Sequence, residues 1–266
     1  MLAGLVKGLT TPMSPFKRAK TRAFATEALM VIHDVKVPGG TLRFHSPTAR
    51  SLHDTNSLMD DGEPETIAWL DSLPEGGVLW DIGANVGAFA LYAAKVRGLK
   101  VLAFEPSAQS FAALQKNIEL NGLSDRIDAY CLAFDDENKL DYLYMANSGA
   151  GHSMHGFGHA ENVRGAIAGA VKQAVPGLTI ATFCDLFGVA PPDYVKLDVD
   201  GNEDKILRGG EFVLKGCVQS MICEIDEAER ADGGAALRAQ IEALGLSEVK
   251  DDTVEAVRNV VFRKHG

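Results

Sequence analysis

The sequence lacks the cysteine pairs, the long apolar runs and the positive charge that identify several large classes of protein. Its four cysteines form no CxxC pair, and we expect them to be free thiols in a reducing compartment. No apolar run reaches the roughly 18 residues that a membrane-spanning helix needs. A formal net charge of -10 argues against general nucleic-acid binding, which normally requires a basic surface.

What is present is the composition of an ordinary globular protein, with 46% hydrophobic and 23% charged residues. The 266 residues suffice for one large α/β domain with appendages. We expect residues 61–266 to form that domain and residues 1–60 to form an N-terminal arm with a hairpin. The arm has too short an apolar stretch for a signal peptide, so a cytoplasmic location is expected.

A basic cluster in the arm contrasts with the acidic body of the chain. It consists of Lys17, Arg18, Lys20 and Arg22. Charged termini are often poorly ordered, so the pattern favours a solvated, partly disordered arm. The alternative is a weak peripheral contact with an anionic surface.

The glycine fingerprint of nicotinamide and flavin enzymes is also absent. That fingerprint places glycines at the first, third and sixth positions, where the backbone approaches a pyrophosphate. Counted from Gly83, the third position is Asn85 and the sixth is Ala88. No Lys-Ser or Lys-Thr pair follows, so a P-loop is not indicated either. A nicotinamide-dependent oxidoreductase is therefore disfavoured.

Residues 78–106 nevertheless read as a strand, a glycine turn, a helix and a second strand. Such a unit opens a cleft above the sheet, with the helix N-terminus facing it. Asp81 and Glu105 place negative charge at the two ends of this cleft. The charge suits a cation with ribose hydroxyls, because a carboxylate after the second strand can accept both hydroxyls. The pattern predicts S-adenosylmethionine, which carries a sulfonium, an ammonium and a ribose.

Ionisable residues follow one another along the predicted fourth core strand, residues 194–200. Period-two alternation places Lys196, Asp198 and Asp200 on one face, where burial is costly unless they pair or border a cleft. We expect an ion pair between Lys196 and Asp198, with Asp81 as a candidate third member. An alcohol acceptor must lose a proton during methyl transfer, so Asp198 and Asp200 are the catalytic candidates.

Two alternatives stay open at this site. The base could be His152 or His155, which lie in a glycine-rich segment predicted to be a substrate-binding lid or a mobile loop, residues 147–177. Carboxylates at neighbouring strand ends could also hold Mg²⁺, which prefers oxygen ligands. The carboxylates concerned are Asp198, Asp200, Glu224 and Asp226. This metal signal is weak, and no metal ligand is assigned.

Smaller features complete the expected secondary structure. Residues 32–37 and 42–45 are predicted to pair as a hairpin. Residues 140–145 alternate weakly, which favours an edge strand. Ser107 and Thr182 are predicted to cap the helices that follow them.

In combination, these motifs resemble those of the FkbM-type S-adenosylmethionine-dependent methyltransferases. The similarity covers roughly residues 62–226. It is carried by Glu63-Pro64-Glu65-Thr66, Trp80-Asp81-Ile82-Gly83-Ala84-Asn85-Val86-Gly87, Ala103-Phe104-Glu105-Pro106-Ser107, Asn117 with Leu120-Asn121-Gly122, and Tyr194-Val195-Lys196-Leu197-Asp198-Val199-Asp200-Gly201-Asn202-Glu203. Asp200 stands where many relatives carry Glu, which is a conservative departure.

The resemblance implies an α/β structure with the class I (Rossmann-like) methyltransferase fold. This fold has a mostly parallel seven-stranded sheet with helices on both faces, here with an N-terminal extension and an insertion between the third and fourth core strands. The cofactor-binding residues that it implies are Asp81, Gly83, Asn85 and Gly87 around the methionine moiety, Glu105 and Pro106 at the ribose, and Ala133 at the adenine.

The resemblance also implies a reaction. Relatives with an assigned role mostly methylate hydroxyls of sugars or polyketide-type natural products. The expected activity is therefore O-methylation of a carbohydrate or of a glycosylated or polyketide-type small molecule. The alternative is a cofactor-binding module without catalysis that acts as a partner or scaffold. The insertion matches no motif of the family, so the acceptor does not follow from the resemblance.

Overall fold

A seven-stranded sheet forms the centre of the computed structural model, which describes residues 2–60, 62–162, 164–228, 230–249 and 258–264. The strands are β1 Ile32–Val37, β2 Gly40–His45, β3 Val78–Ile82, β4 Lys100–Phe104, β5 Ile127–Tyr130, β6 Ala133–Phe134, β7 Lys139–Met145, β8 Gly156–Phe157, β9 Glu161–Asn162, β10 Gly165–Ala166, β11 Val171–Leu178, β12 Tyr194–Leu197, β13 Ser220–Glu224, β14 Leu246–Glu248 and β15 Asn259–Lys264. The helices are α1 Leu2–Thr10, α2 Pro15–Ala28, α3 Ala49–Asn56, α4 Pro64–Ser72, α5 Ala88–Val96, α6 Ala108–Asn121, α7 Ile180–Phe187, α8 Glu203–Cys217 and α9 Ala235–Ala243.

The strand order of the central sheet is β14-β15-β13-β12-β3-β4-β5. Five neighbouring strands of this sheet, β13, β12, β3, β4 and β5, run parallel to one another. Strand β15 is antiparallel to both of its neighbours, β13 and β14. The α/β class and the seven strands agree with the expectation, and the sheet is mixed at its β14–β15 edge. The chain between these two strands is too short for the crossover that a parallel pair requires, so β15 returns antiparallel.

Each face of the central sheet carries its own hydrophobic cluster, because successive side chains of a strand point to opposite faces. Leu79 packs with residues of α4, α5 and α6 on one face. Trp80 packs with residues of α7, α8 and α9 on the other. Both side chains are at most 1% exposed. Helices therefore cover both faces, and the carboxyl ends of the parallel strands are left as the edge at which a ligand can bind.

The hairpin β1–β2 forms as predicted and packs on the domain that follows it. Leu42 and Phe44 are fully buried in the same cluster as Leu79. Asn117 of α6 accepts a hydrogen bond from the backbone N–H of His45 at 2.7 Å. The hairpin thus shares its core with residues beyond 60, and the boundary placed at that residue stays a prediction.

The N-terminal arm is helical rather than disordered over its described residues, which corrects that part of the expectation. Helices α1 and α2 have mostly exposed side chains, and α2 buries none of its residues. The arm is solvated as expected. No helix within the described ranges is long and apolar enough to span a membrane.

The insertion between the third and fourth core strands folds as a second sheet, with strand order β6-β11-β7-β8. Strand β7 contains residues 140–145 and lies between β11 and β8, so the prediction of an edge strand is wrong. The alternation of apolar and polar residues was weak because only Leu143 and Met145, near the end of β7, are buried. The other face of β7 is largely exposed along its length. Residues 147–177 are accordingly not a bare loop, since they include β8, β9, β10 and most of β11.

Of the two predicted helix caps, Thr182 is wrong and Ser107 is correct in position only. Helix α7 begins at Ile180, and its cap is Thr179, whose hydroxyl accepts the backbone N–H of Thr182 at 3.0 Å. Ser107 does occupy the cap position of α6, but its hydroxyl makes no capping bond. Its backbone N–H donates to Glu105 instead, at 2.7 Å. Both cases show that a capping residue type is recognised more easily than the side chain's actual partner.

Candidate active site

The turn after β3 brings the first core strand against the end of the fourth. Gly83 has a φ of 88°, which disfavours any residue with a side chain. A Cβ atom placed there would lie 1.8 Å from the carbonyl oxygen of Asp198. The backbone N–H groups of Gly83 and Ala84 both donate to the carbonyl of Phe104 at 3.0 Å. The missing side chain thus allows β3, β4 and β12 to end at one place.

The carboxylate of Glu105 is fixed by two backbone donors from this edge. The N–H of Asn85 donates to Oε2 at 2.8 Å, and the N–H of Ser107 donates to Oε1 at 2.7 Å. Glu105 is only 6% exposed, and burial raises its pKa to about 7 even though the two N–H donors lower it. Each oxygen keeps a lone pair free for a ligand.

Asn85 adopts a left-handed backbone conformation, with a φ of 50°. Its amide Nδ2 donates to the carbonyl of Gly151 in the insertion at 3.3 Å. Its Oδ1 atom is buried and makes no hydrogen bond with the described part of the protein. An unpaired buried acceptor beside a cleft is what an ammonium donor of a ligand would satisfy.

Two residues of the same motif lie behind the turn rather than on the cleft wall. Gly87 precedes α5 with a φ of 87°, and a Cβ there would lie 2.4 Å from Cδ1 of Leu114. Asp81 is 1% exposed, and burial raises its pKa to about 6 against the opposing charge of Lys196. The register of the sheet places Asp81 directly beside Lys196. Neither Asp81 nor Gly87 is among the described residues that line the cleft.

A cleft of about 960 Å³ opens at the carboxyl edge of the sheet and has two halves. The first half, which we call the turn half, is lined by Ile82, Gly83, Ala84, Asn85, Val86, Phe104, Glu105, Pro106, Leu132, Ala133 and Phe134. The second, which we call the carboxylate half, is lined by residues of α3 and of the chain after it, by segment 152–157 and by the strand-end residues Lys196, Asp198, Asp200, Glu224, Arg258 and Asn259. Of the predicted cofactor-binding residues, Gly83, Asn85, Glu105, Pro106 and Ala133 therefore line the turn half.

The predicted ion pair forms in the carboxylate half, with Lys196 Nζ 2.8 Å from Asp198 Oδ2. Lys196 is 4% exposed, and although burial lowers its pKa, the charges of Asp198, Glu63 and Asp81 raise it above its ordinary value. Burial alone would raise the pKa of Asp198, but the Lys196 charge and hydrogen bonds from Lys196 and Glu224 lower it below the ordinary value. Asp198 is accordingly an anion held by its neighbours.

Glu224, at the end of the adjacent strand β13, shares this arrangement. Burial and the charge of Asp198 raise its pKa to about 8, and its carboxyl hydrogen-bonds to Asp198. The raised pKa of Glu224 favours its role as the donor in this contact and Asp198 as the acceptor, while the charge of Arg258 lowers the pKa of Glu224 in the opposite direction. The opposite shifts of two touching carboxyls assign a donor role to one and an acceptor role to the other.

Asp200 differs from Asp198 because its main contacts come from the insertion. Its φ is 61°, and its Oδ2 accepts the backbone N–H of Met154 at 2.5 Å. Burial and the charge of Asp198 raise its pKa to about 7, while backbone N–H groups of Met154 and His155 act in the opposite direction. A carboxylate with a pKa near neutrality can both accept and release a proton under physiological conditions.

The two candidate histidines line the cleft beside Asp200. Burial lowers the pKa of His155 to about 4, and an interaction with the backbone of His152 opposes this shift only in part. His155 is therefore neutral at physiological pH. Because its pKa of about 4 is lower than the pKa of about 7 of Asp200, His155 is the weaker base of the two.

The arrangement does not resemble a magnesium site. Within the described ranges, no group of three or more histidine, cysteine, aspartate or glutamate side chains could hold a metal ion. Arg258 forms ion pairs with Glu224 at 2.7 Å and with Asp226 at 3.2 Å. A cation thus already occupies the oxygens of two of the four carboxylates considered for Mg²⁺.

Sequence reasoning did not assign a role to Glu63, Arg258 or Asn259, all of which line the carboxylate half. Glu63 Oε2 accepts hydrogen bonds from Thr66 at 2.8 Å and from Asn259 at 3.1 Å. Its charge also acts on buried Lys196. The Glu63-Pro64-Glu65-Thr66 motif could have drawn attention to Glu63. No sequence pattern connects Glu63 with Arg258 and Asn259, which lie almost 200 positions later.

The strand order, the glycine turn at the end of the first core strand and the acid at the end of the second are those of a Rossmann-like methyltransferase fold. The chain belongs to the family described as the methyltransferase FkbM domain, whose model matches residues 81–259. The expected family is thus confirmed, and the chain is a methyltransferase by family.

Similar proteins include the 31-O-demethyl-FK506 methyltransferase FkbM of Streptomyces tacrolimicus. It is 26% identical over 182 residues, which cover 60% of this chain and 70% of that protein. The ribosomal protein L11 methyltransferase of Shigella sonnei is 32% identical over 119 residues, or 40% of this chain and 41% of that protein. The chain thus spans about two fifths of the length of the latter relative.

A solved structure of methyltransferase FkbM from Methylobacillus flagellatus is 13% identical to the chain. The match has a TM-score of 0.47 and covers 72% of this chain and 44% of that one. A methyltransferase from Pyrococcus furiosus matches with a TM-score of 0.46 and 14% identity, covering 81% of this chain and 96% of the other.

Proposed function

We propose that this methyltransferase uses S-adenosylmethionine and methylates a hydroxyl oxygen of a carbohydrate or a polyketide-type small molecule. One observation carries the proposal. A single cleft joins a turn half with a fixed carboxylate, Glu105, to a carboxylate half in which Asp200 has a pKa near 7. A donor and an acceptor bound in the two halves would meet at the boundary between them.

The residues of the turn half suit each part of the cofactor. The free lone pairs of Glu105 are available to two ribose hydroxyls, and the unpaired Oδ1 of Asn85 is available to an ammonium. Leu132, Ala133 and Phe134 offer the apolar surface that an adenine requires. When bound, the cofactor supplies a methyl group that its sulfonium has already activated.

The protein's remaining tasks are to orient the acceptor hydroxyl, to exclude water and to accept a proton. We assign the proton to a carboxylate oxygen of Asp200, because the pKa of about 7 is matched to physiological pH. We assign to Asp198 the orientation of the acceptor hydroxyl, because its lowered pKa keeps it ionised as a hydrogen-bond acceptor. Lys196 holds Asp198 in place at 2.8 Å.

Two further observations support a hydroxylated acceptor. The walls of the carboxylate half carry many polar side chains, among them Arg50, Asp54, Asn56, Ser57, Glu63 and Asn259. Such a wall can form many hydrogen bonds with a polyhydroxylated molecule. The name of the Streptomyces relative, 31-O-demethyl-FK506 methyltransferase, indicates transfer to an oxygen of its acceptor.

The proposal has two parts that separate experiments test. Calorimetric titration with S-adenosylmethionine should show saturable binding, and the absence of binding at millimolar cofactor would refute the cofactor assignment. Incubation of cell extracts with the protein and methyl-labelled cofactor, followed by mass spectrometry, should reveal a labelled hydroxylated product. Label on nitrogen or carbon would refute O-methylation. Binding without any labelled product, in extracts and in a panel of sugars and polyketides, would favour the non-catalytic module.

A further inference from the structure

Helices α1 and α2 form a helical hairpin that is joined by polar contacts. Arg18 donates to the carbonyls of Thr10 and Thr11 at 3.2 and 2.7 Å, and Arg22 donates to the hydroxyl of Thr10 at 2.9 Å. These bonds, together with the backbone N–H of Met13 that donates to Thr10 at 3.1 Å, satisfy the carbonyls at and directly after the end of α1. The pairing of the two helices therefore requires no apolar packing between them.

The large apolar side chains of this hairpin face solvent. Leu5, Leu9, Phe16 and Phe24 are between 58% and 77% exposed. No described side chain of α1 or α2 belongs to the hydrophobic clusters of the body. Apolar groups concentrated on one exposed element, rather than scattered singly, indicate a surface that is covered by a partner.

Basic side chains alternate with the aromatic ones on α2. Phe16, Lys20 and Phe24 are spaced four residues apart, so they share one face of the helix. The Nζ atom of Lys20 lies 5.7 Å from the centre of the Phe24 ring, and Lys17 adjoins Phe16. Aromatic groups flanked by lysines are typical of helices that lie in the interface of a lipid bilayer.

We propose that the α1–α2 hairpin docks this protein on an anionic lipid surface. The exposed leucines and phenylalanines enter the boundary between headgroups and acyl chains, and the lysines contact the anionic headgroups. The basic residues of the hairpin favour this partner over a second copy, because two hairpins facing each other would bring like charges together. A net charge of -10 over the whole chain keeps the acidic body in water.

The test is co-sedimentation of the full chain with vesicles of phosphatidylcholine, with and without phosphatidylglycerol. We expect binding to the anionic vesicles and at least about tenfold weaker binding to the neutral ones, with a strong decrease at high salt. The double variant Phe16→Ser/Phe24→Ser should lose about tenfold in partitioning, and Lys17→Gln/Lys20→Gln should lose its preference for anionic lipid. Phe212→Ser is the matched control, because Phe212 is 91% exposed but lies on α8.

The variants of the hairpin remove no buried contact, so their thermal unfolding should match that of the wild type. Equal binding to both kinds of vesicle, or unchanged binding of the phenylalanine variant, would overturn the proposal. So would a concentration-dependent dimer that the phenylalanine variant abolishes, because a second copy would then cover the apolar surface. Cofactor titration of the same variants should be unaffected, which separates this proposal from the enzymatic one.

Discussion

The two halves of the cleft are built from different kinds of sequence. The turn half comes mainly from one continuous stretch, residues 82–106, and its key contacts are made by backbone N–H groups. The carboxylate half combines segments from α3 to β15, and most of the contacts described for it join side chains that are distant in sequence, such as Glu63 with Asn259 and Glu224 with Arg258. The comparison shows that a cleft wall formed by a local turn can be recognised in a sequence, whereas one formed by distant side chains depends on how the sheet is ordered.

The largest expected effect lies in the carboxylate half. Asp200→Asn removes the proposed base, so turnover should fall about 10²- to 10⁴-fold, while cofactor affinity changes by less than about threefold. Single-turnover kinetics and calorimetry measure the two quantities separately. Asp125→Asn, which changes an exposed carboxylate outside the cleft, should retain wild-type turnover. A fully active Asp200→Asn variant would show that Asp200 is not the base. The carboxylate half would then have no assigned role in proton transfer.

The next effect concerns the point where the two halves touch. Gly83→Ala would place a Cβ atom 1.8 Å from the Asp198 carbonyl oxygen at a φ of 88°, so we expect a loss of about 3 kcal/mol or more in the free energy of unfolding. Gly98→Ala is the control, because Gly98 has a φ of 64° with no atom within 4 Å and should lose only about 1 kcal/mol. Urea unfolding measures both. Equal losses would show that backbone conformation alone, and not the contact with β12, requires glycine at position 83.

A smaller effect is expected in the turn half. Glu105→Gln keeps the size of the side chain but removes its charge and one acceptor, so cofactor affinity should fall about 10- to 100-fold. Turnover at saturating cofactor should stay within severalfold of the wild type, which is the reverse of the pattern for Asp200→Asn. Glu119→Gln, at a side chain 69% exposed, serves as the control. Unchanged affinity in the Glu105 variant would contradict its assignment to the ribose.

The smallest effect is the dependence of stability on pH that arises from His155. Burial lowers its pKa from 6.5 to about 4, so the unfolded chain binds the proton more readily than the folded protein between those values. Its contribution to stability is complete above pH 6.5 and is lost as pH falls towards 4. With allowance for partial exposure, wild type and His155→Gln should diverge by about 1–2 kcal/mol between pH 7.5 and pH 4.5.

Urea unfolding at the two pH values measures this divergence. His53→Gln, at a ring 77% exposed, should follow the wild type. Parallel curves for wild type and His155→Gln would show that the insertion does not bury this imidazole in solution.

The turn half was predictable because its contacts are close in sequence. Asp81, Gly83, Asn85 and Gly87 were recognised from their spacing, and Glu105 from its place after the second strand. Even so, Asp81 and Gly87 lie behind the cleft wall, where they support the sheet and the helix. Spacing identifies the turn, but it does not tell which of its residues faces the cleft.

The carboxylate half was predictable only in part. Alternation along the strand predicted over residues 194–200 indicated the Lys196–Asp198 pair, which forms. The strand bounds were wrong, because β12 ends at Leu197 and Asp200, with a φ of 61°, lies in the turn beyond it. The alternation did not give the opposite pKa shifts of Asp198 and Glu224, which depend on burial and on contact between neighbouring strands. Nor did it place Glu63 near Lys196, because no periodicity relates a helix N-terminus to the middle of a sheet.

The sequence by itself determined the α/β class, the glycine turn, the hairpin β1–β2 and the identity of the acids at the strand ends, since each depends on residues close together in the chain. The tertiary structure alone decided that β15 runs antiparallel, that the insertion folds as a second sheet and that Met154 holds Asp200. The physical reason is that strand order and burial bring distant residues into contact. The energy of such contacts depends on a local dielectric and on partners that no short stretch of sequence contains.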